Sequence, residues 1–290
     1  MNHIGVIGGD LRIVKLVEML AKDGFEIYTY GLENAESLNG KNHIVFCQSM
    51  QEVIRQVAIV IGPIPLSSNG SELNMPFSDD QIAIEELLLA VRNKILIAGA
   101  ISQDIYQKAE DVQIIDMLKR EELSVLNTIS TAEGAIQIAM EETSRTIHGS
   151  NVLVMGFGRI GKILAKMLAG IGAHVTCEAR KDTDIAWIKA YGYQSVYLNQ
   201  LEEHLDTYDI IINTIPFIIL DEEKLKKLKK DVLMIDLASN PGGIDKKAAK
   251  DLGLKLVWAL SLPGKVAPIT SAEFIKETLY NILNEINKGE

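Results

Sequence analysis

The sequence has few of the features that mark a secreted, metal-binding or nucleic-acid-binding protein. Its 290 residues include only two cysteines, Cys47 and Cys177, which are far apart and make no metal-like spacing. We therefore expect two buried thiols in a reducing compartment. Basic residues number 29 against 39 acidic ones, a formal charge of −10. No basic surface is predicted that would attract a nucleic acid.

Long apolar runs and a leader segment are also missing. No run approaches the ~18 apolar residues that a membrane span requires. The opening MNHIGVIGGD enters a strand-like run directly, without a charged region or a small-residue cleavage site. No catalytic triad, zinc cluster or Walker loop is present, and we predict no metal site. The expectation is a soluble, cytoplasmic protein with no membrane partner.

What the sequence does contain is an alternation of β-branched runs and helical patterns from one end to the other. This order predicts an α/β fold with parallel sheets covered on both faces. The ten predicted strands are HIGVI, FEIYTY, VAIVIG, KILIAG, VQII, NVLVMG, AHVTCE, DIIINT, VLMIDL and KLVWAL.

Two domains and a closing helix are predicted from this pattern. Residues 1–126 form a flavodoxin-like domain, residues 127–261 a Rossmann domain, and residues 262–290 a helix that returns to the first domain. A long helix is expected to begin near Asn127, with Ser130 or Thr131 as its N-cap.

The strongest motif is a glycine-rich turn after the strand-like run VLVM. Gly156, Gly158 and Gly161 fit the pattern G-x-G-x-x-G, with a helix after it and a second strand at the right distance. These glycines allow a tight turn, close approach of the backbone to a diphosphate, and helix–strand packing. The predicted cofactor contacts in this turn are Gly156, Phe157, Gly158, Arg159, Ile160 and Gly161.

The end of the second strand predicts which dinucleotide binds. NAD enzymes place a carboxylate there for the ribose, whereas a nearby arginine accommodates the 2′-phosphate of NADP. Here Ala179 is followed by Arg180 and Lys181, which favours NADP. Glu178 is the competing carboxylate, but the alternation of a strand points it away from the side that Ala179 uses. The alternative is that Arg180 and Lys181 are ordinary solvated charges.

Two later strand ends predict further contacts, because ligands bind at the carboxyl edge of a parallel sheet. The first supplies Asn213, Thr214, Ile215 and Pro216; the second supplies Asp236, Leu237, Ser239 and Asn240. Both could be plain strand-to-helix turns, and the neighbouring glycine-rich turn favours a cofactor role.

A second glycine-rich segment, IGVIGGD, lacks the third glycine. Asp10 would place the protein's own carboxylate at the helix N-terminus that a phosphate needs, so we predict a structural cap. Arg12 beside it is either a carboxylate ligand or a solvated side chain. His148 is expected at the surface.

An ordered set of motifs resembles the family of dipicolinate synthase A subunits. The segments are IGGDLR, NTISTAEGAI, TIHGSNVLVMGFGRIGK, GAHVTCEAR, NTIP, DLASNPGG and LPGKVAP, and they span essentially the whole chain. The resemblance implies a two-domain, NADP-dependent oxidoreductase with the layout of 2-hydroxyacid and alanine dehydrogenases. Glu178 stands where a small residue is expected, and Asn240 where a basic residue is also plausible.

The resemblance also implies a reaction and partners. The family's A and B subunits together make dipicolinate, a spore component, from a dihydro- or hydroxytetrahydrodipicolinate, and a homo-oligomer is expected. Candidate substrate or catalytic residues are Arg12, Arg120, Thr131 and Glu133. The alternatives are another NADP-dependent dehydrogenase of a hydroxyacid or shikimate-like substrate, and a non-catalytic dinucleotide sensor.

Overall fold

A computed structural model provides the structure of the chain and describes residues 2–289. The chain divides into two compact units. The first unit is Met1–Ser124 with Ala267–Glu290, and the second is Val125–Val266. The division falls near the boundaries expected from the sequence, while the separate roles assigned to the two domains stay predictions.

The first unit is a parallel six-stranded sheet with helices between its strands. Its strands are β1 (His3–Ile7), β2 (Glu26–Tyr30), β3 (Ile44–Phe46), β4 (Ile59–Ile61), β5 (Ile95–Ala98) and β6 (Gln113–Asp116). Its helices are α1 (Leu11–Lys22), α2 (Met50–Gln56), α3 (Ile84–Ala90) and α4 (Gln103–Lys108), and short 3₁₀ turns lie at Glu36–Leu38 and Met117–Lys119. The strand order is β3-β2-β1-β4-β5-β6.

The second unit repeats this arrangement. The long helix α5 (Glu121–Glu142) leads into it, followed by β7 (Asn151–Met155), α6 (Arg159–Ile171), β8 (His174–Ala179), α7 (Asp182–Ala190) and β9 (Gln194–Tyr197). After a 3₁₀ segment, Leu198–Thr207, come β10 (Ile210–Asn213), α8 (Glu222–Leu225), β11 (Leu233–Asp236), α9 (Lys246–Asp251), β12 (Lys255–Trp258) and α10 (Leu262–Val266). The six strands of this second sheet are parallel, and their order is β12-β11-β10-β7-β8-β9.

The last helix, α11 (Pro268–Lys288), belongs to the first unit. It packs against α1, and Ile275, Leu279 and Ile282 are buried in the same cluster as Leu16 and Leu20. Its apolar face therefore completes the core of the first unit. The predicted fold class is confirmed: two parallel α/β units and a C-terminal helix that returns to the first.

The predicted start of the long helix is wrong. Helix α5 begins at Glu121, so Ser130 and Thr131 lie in its interior and neither is an N-cap. Thr131 Oγ1 instead donates to the carbonyl of Asn127 at 2.8 Å, a bond that satisfies a hydroxyl inside a helix. Nothing between Glu121 and Ser130 interrupts the helix, since that segment lacks proline and glycine.

Two strands were not predicted. Strands β3 and β9 are three and four residues long and lie at the outer edges of the two sheets. Strand β3 is an apolar run of only three residues, and β9 mixes polar and apolar residues, so neither gives a clear strand pattern. Over the described residues, 2–289, no helix is both long and apolar enough to cross a membrane.

Candidate dinucleotide-binding site

The site lies where the strand order of the second sheet reverses direction. Strands β7 and β10 are neighbours, and the connection after β7 runs to β8 on one side while the connection after β10 runs to β11 on the other. Such a switch point opens a crevice at the edge of a parallel sheet. A cavity of about 760 Å³ occupies this position, within the usual size range of ligand pockets.

Most of the predicted cofactor contacts line this cavity. They are Gly156, Phe157, Gly158, Arg159, Arg180, Lys181, Thr214, Ile215 and Pro216. Ala179 lines it as well, together with five residues for which no cavity position was predicted: Val125, Lys162, Ile163, Glu178 and Asp184. Of these five, Lys162 had a sequence signal, because it lies one helical turn after Gly158 and so on the same side of α6.

The N-terminus of α6 is open to an anion. Gly158 is its N-cap residue, no side chain caps it, and its first turn carries no acidic residue. The free N–H groups and the positive end of the helix dipole suit a diphosphate. A Cβ added at Gly158 would meet no protein atom within 4 Å, so the space beside it is available to a ligand.

The other two glycines of the turn shape the backbone. Gly156 has a φ of +88°, and a Cβ there would lie 2.6 Å from Thr214 Oγ1. At Gly161 a Cβ would lie 2.0 Å from the carbonyl oxygen of Gly156. Any larger residue at either position would displace the turn, since such contacts are well inside van der Waals distance. Gly156 and Gly161 therefore have the turn and packing roles that the motif predicts, and the diphosphate contact of Gly158 stays a prediction.

The loop after β10 is held by a buried polar cluster. Asn213 and Asp236 are both fully buried, and Asn213 Nδ2 donates to Asp236 Oδ1 at 2.8 Å. Asn213 also bonds both polar groups of Ile215, donating to its carbonyl and accepting from its N–H. Asp236 accepts from the N–H groups of Ala238 and Gly243. Asn213 thus positions Thr214–Pro216 rather than lining the cavity itself.

Three more predicted contacts lie outside the cavity lining. Ile160 and Leu237 pack in the apolar core of this unit. Ser239 is exposed, and its carbonyl accepts from the N–H of Gly242 at 2.8 Å. Gly161, described above, serves packing. These residues support the site without facing the cavity.

The end of β8 adds a contact at Glu178 that the sequence did not predict. Strand alternation does place Glu178 and Ala179 on opposite faces, since Glu178 pairs in register with Met155 and Val196. The carboxyl group nevertheless reaches the cavity, because Oε2 accepts from the N–H of Gly156 at 3.1 Å. The prediction that Glu178 and Ala179 point to opposite sides of the sheet is therefore confirmed, while the contact of the carboxyl group with Gly156 was not predicted. At the end of a strand, a long side chain can turn over the sheet edge.

The environment of Glu178 disfavours its ionised form. Its side chain is fully buried, and Oε1 has no hydrogen-bond partner. Burial raises the pKa of the carboxyl above its ordinary value, and the Gly156 N–H and the charge of Arg180 offset this in part. Arg180 itself is exposed at the cavity wall.

The two arginine candidates of the first unit are both engaged. Arg12 is buried, pairs with Asp10 at 2.7 Å and also donates to the carbonyl of Ile64. Arg120 binds both carboxylate oxygens of Glu285 on α11, at 2.8 and 2.6 Å, and also Glu122. Hydrogen bonds to Glu285 raise the pKa of Arg120. These contacts give both arginines structural partners.

Thr131 and Glu133 lie on α5 in the second unit. Thr131 is half-buried with its hydroxyl bonded to Asn127, whereas Glu133 is exposed. Neither lines the cavity described above. The roles assigned to all four candidates stay predictions.

The structural interpretation of the first glycine-rich segment is confirmed. Asp10 is the N-cap of α1, and its side chain accepts from the N–H of Arg12 at 3.0 Å. A Cβ at Gly8 would lie 2.5 Å from the Met75 side chain, so the protein's own atoms fill the space above this turn.

Cys47 and Cys177 are buried free thiols, and His148 is exposed. Among residues 2–289 no group of three or more His, Cys, Asp or Glu is arranged to hold a metal.

Comparison with known proteins identifies the family. Residues 3–118 match the model of the N-terminal domain of the dipicolinate synthase A subunit. Residues 123–248 match that of the D-isomer specific 2-hydroxyacid dehydrogenase, NAD binding domain. The chain is 32% identical to the dipicolinate synthase A subunit of Bacillus subtilis over 292 residues, covering 99% of this chain and 97% of the relative. The chain belongs to the family of dipicolinate synthase A subunits.

Solved structures of this family agree with the fold. The crystal structure of the dipicolinate synthase A subunit from Bacillus subtilis superposes with a TM-score of 0.89 at 31% identity, covering 99% of this chain and 97% of that one. The A-subunit structure from Bacillus halodurans gives 0.87 at 27% identity, with 97% of each chain covered. Transhydrogenase from Sinorhizobium meliloti, at 16% identity and a TM-score of 0.73, shares the fold and covers 98% of this chain and 94% of that one. Family and dehydrogenase-type domain together make this chain an oxidoreductase with a nicotinamide dinucleotide site.

Proposed function

We propose that this chain is the A subunit of a dipicolinate synthase and oxidises a dihydrodipicolinate, or its hydroxytetrahydrodipicolinate precursor, with NADP. The observation that carries the proposal is the 32% identity to a dipicolinate synthase A subunit over 99% of the chain. A match of this extent includes both units and the loops at their sheet edges, whereas a Rossmann motif alone would indicate only a nucleotide.

The chemistry follows from the class of substrate. When bound, the nicotinamide takes a hydride from a ring carbon of the substrate. A proton leaves the ring as well, and the ring becomes aromatic, which makes the oxidation favourable. The protein must supply cations or N–H donors for two carboxylates and a route for the proton. Arg12, Arg120, Thr131 and Glu133 stay our candidates; of these, Glu133 has an exposed carboxylate.

The choice of NADP rests on the charges at the end of β8. Arg180 and Lys181 line the cavity, and Ala179 occupies the strand-end position where NAD enzymes place a carboxylate. A guanidinium can pair with both oxygens of a phosphate. Since Arg180 is exposed at the cavity wall, it can turn toward a 2′-phosphate without breaking the core.

Substitution of Arg180 tests the cofactor assignment. The unmodified chain is expected to bind NADP more tightly than NAD by roughly 1–3 kcal/mol, the range of charge-assisted hydrogen bonds. Arg180→Ala should remove most of this difference and leave NAD binding nearly unchanged, as measured by calorimetry. Arg145→Ala is the matched control, because Arg145 is also exposed but pairs with Asp231 away from the cavity. Equal affinity for the two cofactors in the unmodified chain would contradict the assignment.

We further propose that the chain works with a B subunit and as a homo-oligomer, in the cytoplasm of the mother cell of a spore-forming bacterium. Support for the partner comes from the relatives, which are named as one subunit of an enzyme. On this proposal the present chain supplies the nicotinamide site, and the B subunit completes or stabilises the active assembly.

Reconstitution tests the function. The purified chain should bind NADP yet form little dipicolinate from the product of dihydrodipicolinate synthase, and adding the B subunit should restore turnover. A dinucleotide sensor would bind NADP without turnover even with the partner. A hydroxyacid dehydrogenase, the activity named for the family model of residues 123–248, would form NADPH from a 2-hydroxy acid without a partner. Either of these results, with no dipicolinate formed in the complete mixture, would overturn the proposal.

A further inference from the structure

Glu178 is an unusual residue for a cavity that is to hold an anionic dinucleotide. It lies at the end of β8 in register with Met155 and Val196, two members of a buried apolar cluster. Its side chain is fully buried, and Oε2 accepts from the N–H of Gly156 at 3.1 Å. The same N–H also donates to the main-chain carbonyl of Glu178, at 3.2 Å. Gly156 therefore shares one donor between two acceptors.

The second carboxyl oxygen, Oε1, is buried and has no hydrogen-bond partner among residues 2–289. An ionised carboxylate would need donors on both oxygens to offset its loss of hydration. The donor that the structure gives this carboxyl is the shared N–H of Gly156. This environment disfavours the anion relative to an exposed carboxylate, so any further negative charge nearby favours uptake of a proton.

Several charged groups line the cavity with Glu178, and Arg180 is the one whose charge acts on its carboxyl. The cations of the cavity wall are Arg159 and Lys162 on α6, and Arg180 and Lys181 after β8; Asp184 on α7 is the other carboxylate. On the apolar side the titratable neighbour is Tyr208, which is buried in the same cluster as Met155. Cys177 precedes Glu178 and faces the other side of the sheet, in the core cluster with Ala179. Burial outweighs the hydrogen bond from the Gly156 N–H and the charge of Arg180, so the pKa of Glu178 is raised.

We infer that Glu178 is a specificity-determining residue that links dinucleotide binding to the uptake of a proton and limits the preference for NADP. This inference rests on the proposed function, in that the cavity holds a nicotinamide dinucleotide. The ionised carboxylate lies beneath the glycine turn and repels the diphosphate above it, whereas the protonated form does not. The repulsion is larger for NADP, which carries an additional phosphate.

Glu178 and Arg180 therefore have opposite effects on the preference for NADP over NAD. Arg180 attracts the 2′-phosphate from the cavity wall, and Glu178 opposes negative charge from below the turn. Specificity is a difference between two affinities, so the ratio of NADP to NAD binding reflects both residues. Raising the pH through the pKa of Glu178 should weaken both cofactors and lower the ratio.

Glu178→Gln removes the charge and keeps the shape and an acceptor for Gly156. At a pH above the pKa of Glu178 the variant should bind both cofactors more tightly, NADP by on the order of tenfold, and the ratio of NADP to NAD affinity should rise. Calorimetry of NAD in buffers of different ionisation enthalpy should show proton uptake by the unmodified chain and none by the variant. NAD is the probe because it lacks the 2′-phosphate, whose own titration would add to the signal. Glu203→Gln, the same change at an exposed glutamate outside the cavity lining, is the control and should keep the proton uptake.

Thermal unfolding without cofactor gives an independent readout. A carboxyl whose pKa is raised on folding contributes stability below its unfolded pKa, and this contribution is lost as the pH rises through the folded pKa. The melting temperature of Glu178→Gln should therefore exceed that of the unmodified chain at a pH above the folded pKa of Glu178, and the difference should shrink as the pH falls toward the ordinary pKa of a glutamate.

The outcomes separate the inference from the proposed function. If the unmodified chain prefers NAD, yet Glu178→Gln moves the ratio toward NADP and abolishes proton uptake, the inference stands and the NADP assignment fails. If NADP is preferred but Glu178→Gln changes neither the ratio nor the proton uptake, the inference fails and the assignment stands. Binding of neither cofactor to either protein would overturn both.

Discussion

Gly158→Val is expected to weaken cofactor binding by at least a hundredfold while leaving the chain folded. A Cβ at Gly158 would meet no protein atom within 4 Å, so the substitution causes no clash in the protein itself. The valine would instead fill the space beside the uncapped first turn of α6, where the backbone must approach the diphosphate. A loss of two orders of magnitude corresponds to about 2.7 kcal/mol. Titration with NADP and thermal unfolding measure the two expectations separately.

Two other glycines of α6 provide matched controls. Gly170→Val also places its Cβ in open space, but at the far end of the same helix, so cofactor affinity should be unchanged. Gly161→Ala should instead lower stability, because its Cβ would lie 2.0 Å from the carbonyl oxygen of Gly156. Undiminished NADP affinity in a folded Gly158→Val chain would place the dinucleotide elsewhere.

Asp236→Ala is expected to have the largest effect on stability of the substitutions considered. The carboxylate is fully buried and accepts from Asn213 Nδ2, Ala238 N and Gly243 N at 2.8, 3.0 and 2.8 Å. Its removal leaves three donors without that acceptor, and each unsatisfied buried group costs about 1–3 kcal/mol. We expect the free energy of unfolding to fall by about 3 kcal/mol or more, measured by denaturant titration.

Cofactor binding should weaken in the same variant, because Asn213 positions the cavity-lining segment Thr214–Pro216 and is itself bonded to Asp236. Asp206→Ala is the control, since Asp206 is exposed, and its effect should stay within about 0.5 kcal/mol. If Asp236→Ala lowered the free energy of unfolding as little as the control does, the buried cluster would not hold these loops.

The strands of the fold could be predicted where they form continuous apolar runs in the sequence. Central strands such as β7 and β10 are buried along nearly their whole length and stand out in the sequence. Strand β9 lies at a sheet edge and mixes polar and apolar residues, so it does not stand out in the sequence. The start of α5 was placed too late because Ser130 and Thr131 are residue types that favour N-caps. Whether a serine caps a helix depends on the backbone before it, which no local pattern reveals.

The site was predictable where backbone geometry dictates residue type. Gly156, Gly158 and Gly161 stand out in the sequence because each position requires a residue without a side chain. At Gly156 and Gly161 a Cβ would clash with protein atoms, and at Gly158 it would fill the open space beside the helix N-terminus. The face of Glu178 was predicted correctly, but its contact with Gly156 was not, because strand period fixes the face from which a Cβ leaves and not where a carboxyl group further along the side chain ends. Asn213 and Asp236 were interpreted as ligand contacts, whereas the structure bonds them to each other. Pairing across 23 positions in the chain is a tertiary property.

The most direct test of the account is the simultaneous measurement of dipicolinate and NADPH in one reaction. The mixture contains the unmodified chain, the B subunit, NADP and the product of dihydrodipicolinate synthase, with Gly158→Val as the inactive control. Two-electron oxidation of the dihydro substrate predicts equimolar dipicolinate and NADPH, and neither product with the variant. Dipicolinate formed at the same rate with Gly158→Val, or without any NADPH, would contradict the claim that the glycine turn of this chain binds the NADP that oxidises the substrate.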